Sequence, residues 1–181
     1  DGDALAALFR ARRRTRRKEP CGTARPGMPL PVIRENAEGR FMDDLVWGFV
    51  PHWAKDGKAS RFINARAESA AEKPSFRDAY RLRRCLIPAD GFIEWDAHTK
   101  PKTPYSITLS PQRPFVFAGL WGRWTDPASG QSADSFAILT IAAAPALADI
   151  HDRMPVILTD GEDIDRWLTR GTTAAVLAEI T

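Results

Sequence analysis

Cysteine is nearly absent: Cys21 and Cys85 are the only two in 181 residues, so one bridge is the most the chain can form. That is too few for a secreted disulfide scaffold or for a four-ligand zinc site built on cysteine alone. The three histidines, His52, His98 and His151, are scattered, and none belongs to an H-E-x-x-H pair. No metal and no cofactor is therefore expected. No glycine-rich phosphate loop and no G-x-S-x-G elbow occurs, which sets aside P-loop, dinucleotide-binding and α/β-hydrolase chemistry. No apolar run approaches the roughly 18 residues of a membrane-spanning helix. The chain opens Asp1-Gly2-Asp3, without the basic start and apolar block of a signal peptide. The expectation is a cytoplasmic protein, monomeric and without a membrane partner. Internal repeats and low-complexity tracts are absent as well.

What is present is an ordinary globular composition, with 44% hydrophobic and 27% charged residues in 20.1 kDa, enough chain for one domain with its own core. The net charge is +3, but residues 10–18 alone carry seven positive charges and no acid, which leaves −4 for the rest. The high isoelectric point thus belongs to one local run. Two readings fit it: a contact for nucleic acid, or a solvated helix end running into a loop.

Leu5, Leu8 and Phe9 mark an apolar stripe at helical spacing, predicting a helix from Asp3 to about Arg14. Glu19 to Pro31 reads as a proline-rich loop ending in an extended Pro31-Val32-Ile33. Leu45 to Val50 reads as a strand stopped by Pro51. Ser75 is the expected cap of a helix reaching about Arg83. Cys85 to Pro88 and Phe92 to Trp95 flank the turn signal Ala89-Asp90-Gly91. Further strands are expected at Tyr105 to Leu109, Phe115 to Leu120, Phe136 to Ile141 and Pro155 to Leu158. A helix around Asp163 to Leu168 follows, with Gly171 beyond it, and a last helix is expected from Thr172 to Ile180. The sum is a β-rich α+β domain with peripheral helices.

Four polar residues stand out against this background. Asn64 and Arg66 lie two apart in Ile63-Asn64-Ala65-Arg66-Ala67-Glu68, hence on one face of an extended segment, where amide and guanidinium suit a phosphate or sugar oxygen. The alternative is an Asn ending a strand and an Arg pairing with Glu68. Glu94 sits in Gly91-Phe92-Ile93-Glu94-Trp95, on the face of Phe92 and opposite Ile93 and Trp95. Apolar flanks raise a carboxyl, as acid–base work requires, although a solvent-facing strand residue fits the same alternation. His151, in Ile150-His151-Asp152-Arg153-Met154-Pro155, follows a helical turn from Pro145 to Ile150 and precedes a strand; it is either a proton carrier or a structural histidine. Six tryptophans are many for this length. Trp47 and Trp53 bracket Gly48 to His52 and could stack on unpaired bases, while Trp95, Trp121 and Trp167 are expected in the core.

Taken in order, Trp47 to Trp53, Ile63 to Glu68, Arg84 to Trp95, Ala118-Gly119-Leu120-Trp121 and Ile150 to Leu158 resemble the SOS response-associated peptidase (SRAP) family. The resemblance runs from about Leu5 to Trp167. It implies a single domain over 1–181, with a curved, barrel-like antiparallel sheet and a positively charged cleft. It implies that abasic sites in single-stranded DNA are the partner, captured covalently, with the nucleoid as the place of action during DNA damage. Asn64, Glu94 and His151 match the family's active-site positions and Arg66 a phosphate contact; Thr140 and Arg153 line the same cleft, with Trp47 and Trp53 beside the DNA. In the family the nucleophile is an N-terminal cysteine freed by self-removal of the initiator methionine; its amine forms a Schiff base with the opened sugar and its thiol closes a thiazolidine. The family's opening Cys-Gly-Arg strand has no counterpart in this sequence, and neither does its C-terminal strand segment. Cys21 lies beside Thr23-Ala24-Arg25-Pro26 in the proline-rich loop and Cys85 reads as a core residue. The chain is thus expected to be a trimmed form or one without that nucleophile. The rival expectations are a module that merely holds single-stranded DNA, and an unrelated hydrolase using Glu94 and His151 on a small substrate.

Overall fold

Alternation of apolar side chains along five strands gives this chain two cores, one on each face of the same sheet. The computed structural model describes residues 2–14, 22–57, 61–96, 98–169, 171–172 and 179. Its elements are α1 (Gly2–Leu8), β1 (Arg12–Arg13), β2 (Pro29–Asn36), β3 (Gly39–Trp47), β4 (Asn64–Arg66), α2 (Ala67–Ala70), α3 (Arg77–Leu82), β5 (Arg84–Ala89), β6 (Phe92–Trp95), β7 (Pro104–Ile107), β8 (Phe115–Thr125), β9 (Ser132–Ala142), β10 (Arg153–Pro155), β11 (Ile157–Leu158) and α4 (Gly161–Leu168). Neighbouring strands run β3-β2-β5-β8-β9, and β9 returns to β3 through Val46↔Ser135 and Trp47↔Phe136, which closes a five-stranded barrel. The expected barrel-like sheet is therefore present. It is antiparallel except at β1–β3, β3–β9 and β4–β9, which pair in parallel.

Val32, Leu45, Cys85, Ile87, Phe117, Phe136 and Ile138 fill the barrel. Their sequence neighbours Ile33, Leu86, Ala118, Ala137 and Leu139 face outward, as does Leu120, and are covered by Tyr80, Ile164, Trp167 and Leu168 of the helices. Gly119 faces inward, where a Cβ would lie 2.3 Å from Ile87 Cδ1 and 3.2 Å from Cys85 Sγ; its bareness lets the isoleucine in. Among the described residues no helix is long and apolar enough to cross a membrane.

Several expectations are corrected. The first helix ends at Leu8 rather than Arg14: the apolar stripe stops at Phe9, Arg10 turns left-handed at φ 53°, and Arg12–Arg13 add to β3 as a strand. The arginines 12 and 14 fan out toward Glu38, and Arg13 pairs with Asp3; residues 15–18 of the basic run lie outside the described residues, as does Cys21. Ser75 caps nothing, because α3 starts two residues later from Phe76, without a side-chain cap. The runs around Ala89-Asp90-Gly91 are strands but not a hairpin: β5 pairs with β2 and β8, and β6 pairs with β7 in a separate two-stranded sheet. Of the three tryptophans assigned to the core, Trp167 is fully buried, Trp121 is half-buried and Trp95 is 52% exposed. Asp160 caps α4, accepting from the Glu162 N–H at 2.6 Å. The helix expected over 172–180 falls almost wholly outside the described residues.

Candidate active site

Strand β9 is the spine of the site, because near its end it carries a partner on each edge. On one edge β4 runs parallel, with Asn64 opposite Ile138 and Arg66 opposite Thr140. On the other, β10 runs antiparallel, with Pro155 opposite Thr140 and Arg153 opposite Ala142. Directly paired residues project to the same face of a sheet. Asn64, Arg66, Thr140 and Arg153 therefore share one face, the one that lines the barrel further along. Ala65, between Asn64 and Arg66, is buried on the opposite face. Asn64 opens β4 rather than ending a strand. Its amide and the Arg66 guanidinium are exposed, and among the described residues neither makes a side-chain hydrogen bond or ion pair.

The β6–β7 hairpin packs against the barrel through Phe92, whose ring meets Phe117 edge-on at 5.9 Å. Glu94 lies on the same side as Phe92 and is half-buried, whereas Ile93 and Trp95 point to solvent, as the alternation required. Tyr105 is its cross-strand neighbour on that face, a residue that sequence spacing gave no reason to single out. Burial pushes the Glu94 carboxyl above its ordinary range. The nearby His151 and a main-chain bond from Trp95 pull it back without cancelling the rise, and Asp152 adds to it. Glu94 and His151, 57 positions apart, thus meet closely enough to act on each other's charge.

His151 ends the turn that begins near Pro145, where its N–H donates to Leu147 C=O at 3.0 Å. Its Nδ1 accepts the main-chain N–H of Arg153 at 3.0 Å. The Arg153 C=O lies 3.1 Å from the same nitrogen, so Nδ1 accepts from the N–H in one neutral tautomer and donates to the carbonyl in the other. When the ring is protonated, Nδ1–H has acceptors in Arg153 C=O at 3.1 Å and the Asp152 carboxylate at 3.3 Å.

Arg153 reaches over β9. Its two terminal nitrogens donate to Glu68 Oε1 and Oε2 at 2.7 and 2.9 Å, and one also bonds the Thr140 carbonyl and, at 3.3 Å, its hydroxyl. The pairing of Glu68 with Arg66 weighed from spacing is thus replaced by one with Arg153, which holds the Glu68 carboxyl below the usual range. Thr140 is only 8% exposed and supports the cleft from beneath. The two tryptophans also part company. Trp47 stacks on Phe136 at 6.4 Å and its indole N–H donates to Ile63 C=O at 2.9 Å, fixing the approach to β4; Trp53 leaves its ring 54% exposed. Among the described residues no group of three His, Cys, Asp or Glu side chains converges to hold a metal ion.

A family model described as SOS response associated peptidase (SRAP) matches residues 1–181. Over 141 residues the chain is 45% identical to the abasic site processing protein YoqW of Bacillus subtilis (strain 168), a match covering 77% of this chain and 62% of that protein. Over 164 residues it is 31% identical to the abasic site processing protein YedK of Escherichia coli (strain K12), covering 90% of this chain and 71% of that one. An X-ray structure of a protein from Bordetella bronchiseptica superposes with a TM-score of 0.83 at 30% identity, covering 99% of this chain and 88% of that chain. The chain spans about 62% of the length of YoqW.

Proposed function

The chain belongs to the SOS response associated peptidase (SRAP) family, and from that premise we propose that it captures abasic sites in single-stranded DNA covalently. The observation that carries the reading is the raised carboxyl of Glu94 within electrostatic reach of His151, which leads into β10 on one edge of β9, while β4 on the other edge carries Asn64 and Arg66. A carboxylic acid that keeps its proton nearer to neutral pH can deliver it during imine formation.

An abasic deoxyribose opens to an aldehyde when its ring oxygen gains a proton and its C1 hydroxyl loses one to water, and the imidazole of His151 is the group that delivers the first of these. The α-amine of an N-terminal cysteine in the gene product then adds to the aldehyde carbon. Glu94 protonates the resulting hydroxyl, which leaves as water as the C=N bond forms. The iminium N–H proton returns to Glu94, the thiol then adds to the same carbon while its proton passes to nitrogen, and a thiazolidine results with one water released and Glu94 protonated as at the start. Asn64 holds the sugar or amine in register, and Arg66 neutralises a neighbouring phosphate without reading sequence. Trp53 offers an exposed ring on which an unpaired base can stack.

The test is an incubation of the whole gene product with a single-stranded oligonucleotide, with and without one abasic site. An adduct that survives heat and detergent, confined to the abasic strand, is expected, and Asn64→Ala, Glu94→Gln and His151→Ala should each slow its formation by about a hundredfold. Salt-sensitive binding of both strands alike, with no adduct, would instead leave a non-covalent binding module.

A further inference from the structure

The β6–β7 hairpin carries one aromatic ring that the roles above do not use. Tyr105 stands directly opposite Glu94 in the antiparallel pair. Paired residues project to the same face with their Cβ atoms about 5 Å apart, so the phenol is the immediate neighbour of the carboxyl that His151 acts on. The ribbon beneath it is fixed at both ends. Phe92 packs on Phe117 at 5.9 Å, and beyond the last pair the Asp96 N–H donates to Thr103 C=O at 2.9 Å. Tyr105 is nevertheless 43% exposed, and among the described residues its ring meets no other aromatic and its hydroxyl makes no hydrogen bond. Ile93 and Trp95, exposed as well, project from the opposite face of the hairpin, away from Glu94.

In the proposed reaction Glu94 acts at C1′ of the sugar, the carbon from which the base has been lost. A ring beside Glu94 therefore stands next to the space that base would fill. The base flanking an abasic site has lost a stacking neighbour, so a ring that takes the vacant place gains a base face without first breaking a stack. In an intact strand the same contact requires a base to be unstacked first.

We propose that Tyr105 is a specificity-determining residue: its ring takes the place of the missing base and stacks on the base next to the abasic sugar, so that abasic strands are held in preference to intact ones before any bond forms. The inference deepens the proposed reaction and rests on it for the identity of the ligand, but its test requires no adduct.

The probe is a single-stranded oligonucleotide with one tetrahydrofuran residue in place of a nucleotide. That residue lacks the C1′ hydroxyl and cannot open to an aldehyde, so affinity is read without chemistry. At one fixed salt concentration the whole gene product should bind it about tenfold more tightly than the intact strand of the same sequence. Tyr105→Phe should keep that ratio within about twofold, because the stacking face is retained. Tyr105→Ile keeps an apolar residue that suits a strand but has no flat face; it should stay folded, which thermal melting checks, and bring the ratio near unity. With a true abasic site, Tyr105→Ile should raise the half-saturating DNA concentration about tenfold and leave the maximal rate of adduct formation unchanged. A residue that merely held the hairpin in place would lower that rate by displacing Glu94. A folded Tyr105→Ile that keeps the wild-type ratio, or a wild type that binds both strands equally, overturns the inference. A Tyr105→Phe ratio near unity does so too, by moving the effect from the ring to the hydroxyl. A wild type that prefers the tetrahydrofuran strand yet forms no adduct with a true abasic site defeats the proposed reaction instead, and leaves the role of the ring standing.

Discussion

A carboxyl moves protons near neutral pH only when its surroundings lift it out of the range where it is always ionised. At Glu94 burial does this, and the lift has a consequence for stability that requires no substrate. Below the ordinary Glu value, about 4.3, the group is protonated in both folded and unfolded chains and contributes no difference. As pH rises through the window between the unfolded and the raised folded value, the unfolded chain releases its proton first, so stability falls; above the window the loss is complete. Glu94→Gln has no proton to lose. Its melting temperature should therefore exceed that of wild type by a margin that grows from about pH 4 upward and then levels off. A margin that is flat or shrinks with pH would mean that the carboxyl is not raised. That Glu94 shares a face with Phe92 was legible from strand alternation in Gly91 to Trp95, but its half-burial was not, since a solvent-facing residue fits the same alternation. The Glu68–Arg153 clamp was not: its partners are 85 positions apart, and spacing could offer Glu68 only the nearer Arg66.

Two helices depend on one side chain that belongs to neither. Arg84, the first residue of β5, is buried, and its guanidinium donates to Tyr80 C=O at 2.9 Å and Arg81 C=O at 3.0 Å at the end of α3. The same group donates to the Trp167 carbonyl and, at 2.6 Å, to Thr169 C=O at the end of α4. The last carbonyls of a helix have no partner within it, and a cation there also meets the negative end of the dipole. Burial lowers the Arg84 guanidinium from its usual value without removing its charge. Arg84→Met fills similar space but removes this donor from all four carbonyls, of which Thr169 keeps the Thr172 hydroxyl at 2.7 Å, and should cost about 3 kcal/mol in urea unfolding. A loss below about 1 kcal/mol would show that water takes over the capping. Periodicity located α4 well and α1 poorly for a related reason. α4 carries its own start signal in Asp160, whereas α1 stops where its apolar face ends and the arginines begin, a limit that helical spacing alone overshoots.

Strand alternation made the barrel wall readable, but its closure was not, since Val46↔Ser135 and Trp47↔Phe136 are parallel contacts across nearly 90 positions with no local signal. Equally hidden was the interior at the end away from the cleft, where inward-facing positions turn from apolar to charged. There the nearly buried Arg34 pairs with Asp43 and, at 3.0 Å, with Asp134, and lies 4.3 Å over the Trp121 ring, while Arg123 grips Asp134 from outside at 2.7 and 2.9 Å. Burial would raise the Asp134 carboxyl, but the hydrogen bonds from Arg123 and Arg34 outweigh it and hold the group below its ordinary value. A lowered folded value contributes stability that is present above the unfolded value, about 3.9, and is lost as pH falls through the folded one. Asp134→Asn should therefore cost about 2 kcal/mol near neutral pH, less than a fully broken buried pair because Asp43 still faces Arg34. The gap between variant and wild type should hold down to about pH 4 and close below it, as the wild-type carboxylate takes up its own proton. Urea unfolding of both proteins at a series of pH values measures this. A gap that persists unchanged into acid would locate the cost in packing at the barrel end rather than in the charge of Asp134.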